Sequence, residues 1–106
     1  MSVLVCHCSC PDTDSAARIA QALVEERLAA CVQQLPGVVS TYRWQGAVER
    51  ADEVLLLIKT SRARLPALGE RLRQLHPYEL PELVAVEAAG GLPDYLDWVV
   101  AQTSTE

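Results

Sequence analysis

A chain of 106 residues, half of them hydrophobic, suffices for one domain with an adequate core and is too apolar to be disordered. Its net charge is −5 and its nine basic residues are scattered, so the electrostatic footprint that nucleic acid or an anionic membrane demands is missing. No run approaches the ~20 apolar residues that span a bilayer. The opening segment has no basic region and no long apolar stretch, and reads as a strand, not a signal peptide. The cytoplasm is the expected compartment, with Cys6, Cys8, Cys10 and Cys31 as free thiols or ligands.

Residues 2–10 alternate as a strand does, with Leu4, Cys6, Cys8 and Cys10 on one face and Val3, Val5, His7 and Ser9 on the other. Pro11-Asp12 ends the strand, and Asp12 to Asp14 offer a cap and early acidic charge for a helix. Ala16, Ile19, Ala20, Leu23 and Val24 follow helical spacing, which predicts a helix running to about Ala29. Residues 31–44 are β-rich, with Pro36-Gly37 marking a bulge or bend. Gln45-Gly46 forms a tight turn, and Ala47 to Thr60 return as a strand ending in the block Val54 to Ile58. Leu65, Leu68, Leu72 and Leu75 form the stripe of a second helix, in which Pro66 suits an early position. Leu83 to Glu87 read as a fourth strand, Gly90-Gly91 as a turn, and Leu92 to Gln102 as a terminal helix.

Residues 1–106 are thus read as a single α+β domain: a ferredoxin-like βαββαβ sandwich with a long central hairpin and an extra C-terminal helix. The block Val54 to Ile58 does not alternate, and Val3 and Val5 oppose Leu4 and Cys6, so both sheet faces call for burial. Main helices on one side can serve only one face. Hairpin strands of about 14 residues reach roughly 45 Å, against a diameter of roughly 33 Å for a compact chain of this length. The hairpin must bend strongly or extend onto a neighbour, and an obligate homo-oligomer of low cyclic symmetry is expected.

The segment His76-Pro77-Tyr78-Glu79-Leu80-Pro81-Glu82 concentrates the chemistry. Its prolines fix φ at two points and stiffen a loop carrying an imidazole, a phenol and two carboxylates. His76 either binds a ligand or satisfies the last carbonyls of its helix. Glu79 and Glu82 are cleft groups or simple loop carboxylates. Cys6-His7-Cys8-Ser9-Cys10 suggests a metal cluster, but the strand period turns His7 away and the spacing matches no usual zinc pattern. Cys6, Cys10 and Cys31 are therefore read as core, while Cys8 lies where the strand end can open toward a cleft. Lys59, the only lysine beside eight arginines, suits a cleft mouth or a solvated strand end. Asp94 with Tyr95 and Trp98 anchors the terminal helix. There is no glycine-rich phosphate loop, nucleophile elbow or C-x-x-C pair, so a non-enzymatic role is expected.

Several motifs occur together in order: Leu28-Ala29-Ala30-Cys31-Val32, Pro36-Gly37, Tyr42-Arg43-Trp44-Gln45-Gly46, Glu53 to Thr60, His76 to Glu82, and Asp94-Tyr95-Leu96-Asp97-Trp98. The set resembles the CutA divalent-cation-tolerance proteins over nearly the whole chain. The resemblance implies a homotrimer of ferredoxin-like subunits, similar to PII-type signalling proteins, that binds copper(II) or another divalent metal, none of them obligatory. It implies a metal site at Cys8 and His76. Some members carry a second histidine before His76; Leu75 stands there in this chain, and Glu82 becomes the candidate replacement. Lys59, Tyr78, Glu79, Asp94 and Trp44 are the expected lining of an intersubunit cleft. Two rival readings stand beside this one. The cleft binds a small organic anion, as a sensor or a minor enzyme, or the protein is an adaptor that docks another protein.

Overall fold

The structure is a computed structural model describing residues 2–105, which contain four strands and three α-helices. In chain order these are β1 (Val3–Cys10), α1 (Thr13–Glu25), β2 (Cys31–Trp44), β3 (Ala47–Ser61), α2 (Leu65–Leu75), β4 (Val84–Glu87) and α3 (Pro93–Gln102). The sheet order is β2-β3-β1-β4 with every neighbouring pair antiparallel, as the ferredoxin-like reading requires.

The alternation of β1 fixes which side receives the helices. Leu4, Cys6, Cys8 and Cys10 are buried with Leu56 and Ile58 of β3, and Ala16, Ile19 and Leu23 of α1 pack on them beside Leu68 and Leu72 of α2. Asp12 caps α1, its Oδ1 accepting from the Ser15 N–H at 2.7 Å. The helix stops at Glu25, four residues before the sequence-based boundary near Ala29. Arg27 takes a left-handed φ of 59°, the Arg27 N–H donates to the Val24 carbonyl, and the Leu28 N–H to Leu23. That is a Schellman closure with arginine where glycine is usual. The Arg27 side chain then reaches the α3 end, donating to the carbonyls of Ala101 (3.0 Å) and Ser104 (3.1 Å). A single 3-10 turn, Arg62–Arg64, precedes α2 and leaves Pro66 in the first turn, where its missing N–H costs nothing.

The hairpin matches its expected form. Leu35 pairs with Leu55 and Val38 with Glu53, so Pro36 and Gly37 oppose Val54 alone, and Gly37 has φ +80°. Gln45 and Gly46, at φ 50° and 83°, make the two-residue type I′ turn. The long arms do not fold back: the molecule measures 44 × 26 × 22 Å, and its tip exposes Val39, Tyr42, Trp44 and Val48.

Among the described residues, helix covers the second face of the sheet at one end. Val99 of α3 packs on Val3 and Ala30, and the Thr103 hydroxyl donates to Ser61 Oγ at 2.9 Å. Beyond that end, Val5 lies beside Val86 and Lys59, and His7 beside Val84 and Leu57. Val84 and Val86 are more than half exposed, and Val5, Leu55 and Leu57 are half-buried. Cys31, expected in the core, is half-buried on this open face opposite Lys59, because the strand begins one residue after the buried Ala29-Ala30 step.

Candidate functional site

β4 pairs with β1 only from Leu4 to His7, so the edge of β1 at Ser9 and Cys10 has no strand beside it. The chain leaving α2 fills this gap. His76 is the C-cap residue, its N–H donating to the Leu72 carbonyl at 2.9 Å and its backbone extended before Pro77. Its imidazole does not satisfy the carbonyls of α2. Instead His76 Nδ1 accepts from the Tyr78 N–H at 3.1 Å, which leaves the ring proton on Nε2, 2.8 Å from the Ser9 carbonyl. The ring is thus held by backbone on both sides and is 7% exposed.

This placement brings His76 to two thiols. Cys8 and Cys10 stand one pleat apart on the helix side of β1, both fully buried, and their sulfurs and a His76 ring nitrogen all lie within 4.8 Å of one another. A hydrogen bond to Cys10, reinforced by burial, pushes the Cys8 thiol well above its ordinary value, and the same bond lowers that of Cys10. Cys6, one pleat further in and outside this cluster, is pushed up to about 11 by burial alone. The structure brings Cys8 and His76 together within one chain and places Cys10, which the sequence reading treats as core, beside them.

Glu82 points elsewhere. Its Oε1 accepts from Ser9 Oγ at 2.5 Å, and Ser9 faces the opposite side of the strand from Cys8 and Cys10. On that side a cavity of about 490 Å³ lies between the hairpin and the 76–82 loop, lined by Ser9, Ser40, Tyr42, Arg43, Trp44, Glu53, Tyr78, Glu79, Leu80 and Glu82. The Tyr78 hydroxyl donates to Glu53 Oε2 at 2.5 Å, while the Tyr78 ring rests against His76 with centroids 4.8 Å apart. Burial, then this bond to Glu53, raises the Tyr78 phenol above its ordinary value. One tyrosine thus touches both the thiol–imidazole cluster and the cavity.

Of the expected cleft residues, Trp44, Tyr78 and Glu79 share the cavity, and Lys59 and Asp94 do not join it within the chain. Lys59 lies six residues along β3 from Glu53, roughly 20 Å at strand rise, and donates to Gln33 Oε1 at 2.6 Å. Asp94 is in the first turn of α3. Glu53, Tyr42 and Arg43 are cavity residues that sequence reasoning did not single out. The one signal for Glu53 is its position as the acid opening an apolar strand block.

Two thiols and an imidazole are a donor set for a soft or borderline metal. Ligand atoms ~2.3 Å from a shared ion stand roughly 4 Å apart, so the cluster closes on an ion with shifts of about 1 Å. His76 ligation exchanges one of the two ring hydrogen bonds for the metal, and the other then orients the ring, as backbone carbonyls commonly do for metal-bound histidines. The residues fit.

Comparison with known proteins bears on the same elements. The family model described as CutA1 divalent ion tolerance protein matches residues 4–102. The Thermus thermophilus divalent-cation tolerance protein CutA is 53% identical over 93 residues, covering 88% of this chain and 90% of that protein. Mouse Protein CutA is 46% identical over 98 residues; the match takes in 92% of this chain but 55% of the longer mouse protein. A crystal structure of CutA from Xylella fastidiosa superposes with a TM-score of 0.95 at 51% identity, covering 98% of this chain and 100% of that one.

Proposed function

The chain belongs to the CutA1 divalent ion tolerance family, and from that premise we propose that it is a trimeric metal-binding module of PII-like sensing type that takes copper or another divalent metal and carries out no turnover. The observation that carries this reading is the buried meeting of Cys8 and His76, from the end of β1 and the cap of α2, with a third donor beside them. In this reading the residues hold an ion within the core layer, and the 76–82 loop transmits its presence to the cavity through Tyr78.

The trimer is supported by the open sheet face. Among the described residues no helix covers its aliphatic side chains Val5, Leu55, Leu57, Val84 and Val86, and the hairpin lengthens the molecule to 44 Å with Val39, Tyr42, Trp44 and Val48 exposed, surface that a neighbouring copy would bury. Tyr95 and Trp98 stack on each other at 5.6 Å yet remain two-fifths exposed, which adds aromatic surface to the same argument. Four free cysteines suit a reducing compartment, in keeping with a cytoplasmic protein. No described helix is long and apolar enough to cross a membrane.

The cavity supports a second reading, in which a small organic ligand stacks on Trp44 or Tyr78 with Arg43, not Lys59, meeting its acid group. Three carboxylates around one arginine count against an anion there, so the metal reading is preferred. Copper titration followed by thermal shift tests it, since a ligand selective for the folded state raises stability. Copper should raise the melting temperature of the intact protein, and Cys8→Ser and His76→Ala should abolish the shift. Equal shifts in all three proteins reject the site.

A further inference from the structure

We infer that Cys10 is a metal donor in its own right, and that Cys8, Cys10 and His76 together form a site for a cuprous ion, Cu(I), in a chain whose family is named for divalent cations. The inference rests on the metal reading above and narrows it to one ion.

Strand geometry supplies the first argument. Residues two apart on β1 project the same way, so Cys8 and Cys10 present two thiols to one point, and His76 is fixed against that point by its bonds to Ser9 and Tyr78. All three are buried.

The second argument is what stays away. Glu82 is turned to Ser9 Oγ across the strand and Glu53 is held by Tyr78, so the nearby carboxylates are engaged outside the cluster. Cys8, Cys10 and His76 are the whole of the cluster among the described residues.

Ion preferences follow from that set. Zinc in a closed site takes four ligands, one more than this core offers. Copper(II) favours tetragonal nitrogen and oxygen donors, and calcium and magnesium favour oxygen. Cu(I) is soft, selects thiolates, and is content with three donors or two. Without Cys10 the pair Cys8 and His76 would be an open site that any of several divalent ions completes with water. With Cys10 it is closed and soft.

The test is an anaerobic competition with the full chain. Cu(I) is supplied as its coloured bicinchoninate complex, with Zn(II) and Cu(II) titrated separately. The protein should withdraw one Cu(I) per chain and bind Cu(I) more tightly than Zn(II), and X-ray absorption should show two sulfur neighbours and one nitrogen. Cys10→Ser, nearly isosteric, should lower Cu(I) affinity by more than about 100-fold, beyond the 10–100-fold that losing an orienting partner costs. Its circular dichroism should match the parent, and X-ray absorption of the parent protein stands as the deciding measurement if the variant fails to fold. Retained Cu(I) affinity in folded Cys10→Ser, or a single sulfur neighbour, overturns the role of Cys10 while leaving the metal reading intact if Cys8→Ser and His76→Ala still abolish binding. Zn(II) bound as tightly as Cu(I) overturns the choice of ion. No uptake of any of the three ions removes the metal reading itself.

Discussion

Replacing Tyr78 by phenylalanine isolates the contact that joins the 76–82 loop to the hairpin. The ring stays against His76, so the change removes only the hydroxyl that donates to Glu53 at 2.5 Å. Glu53 is 8% exposed, and among the described hydrogen bonds Tyr78 is the donor to its carboxylate. A hydrogen bond to a charged group contributes about 1.5–3 kcal/mol. The adjoining cavity lets solvent replace part of it, so a loss of about 1.5–2 kcal/mol is expected, read by urea unfolding at neutral pH and equal chain concentration.

The same bond fixes a pH dependence. Burial and Glu53 raise the Tyr78 phenol in the folded state, whereas the unfolded chain ionises near the ordinary value of 10.0. Above that pH the unfolded state binds fewer protons than the folded one, so stability falls as pH rises. The contribution is fully present below pH 10 and is lost toward the higher folded-state value. Tyr78→Phe should therefore be less stable than the parent at neutral pH and lose less on going alkaline. A variant within about 0.5 kcal/mol of the parent, the spread of ordinary surface changes, with an unchanged alkaline slope, would refute the reasoning.

Two further outcomes follow from the fold. Leu57→Lys places a charge in the middle of the open sheet face, where each buried leucine contributes about 1.5–3 kcal/mol; sedimentation should show dissociation to single chains, and an unchanged mass would show that this face is not the interface. At Arg27, glycine should give a more stable protein than alanine by about 1 kcal/mol, because both lose the bonds to α3 but only alanine keeps the left-handed strain. Thermal melting at equal chain concentration reads the difference, and an alanine variant equal to or above the glycine one contradicts it.

The elements that sequence resolves best are those whose signals are local. Pro36-Gly37 and Gln45-Gly46 name their own backbone conformations, and the alternation of β1 separates its two faces residue by residue. The end of α1 is not legible, because Glu26-Arg27-Leu28 continues a helical pattern and the stop comes from an arginine whose side chain is engaged with α3, more than 70 residues away. Cys8 and His76 are named through the resemblance, but the place of Cys10 beside them is not legible. Its spacing from Cys8 is wrong for a sequence motif and right for one pleat of a strand, and the third donor arrives from a loop 66 residues later. Lys59 and Asp94 show the converse: their chemistry suits a cleft, and only the register of β3 and the position of α3 show that neither reaches the cavity of its own chain.

The surplus residue at Pro36-Gly37 decides more than curvature. Before it, odd-numbered residues of β2 share a side with Leu55, Leu57 and Lys59; after it, the even-numbered Val38, Ser40, Tyr42 and Trp44 do. One extra peptide unit has exchanged odd for even along the outer arm, and this is what turns Tyr42 and Trp44 toward Ser9 and Glu53 instead of the helix layer. The aromatic wall is therefore encoded by count as much as by residue type: if the same residues paired one-to-one past Leu35, Tyr42 would lie opposite Val48 and face the helix layer.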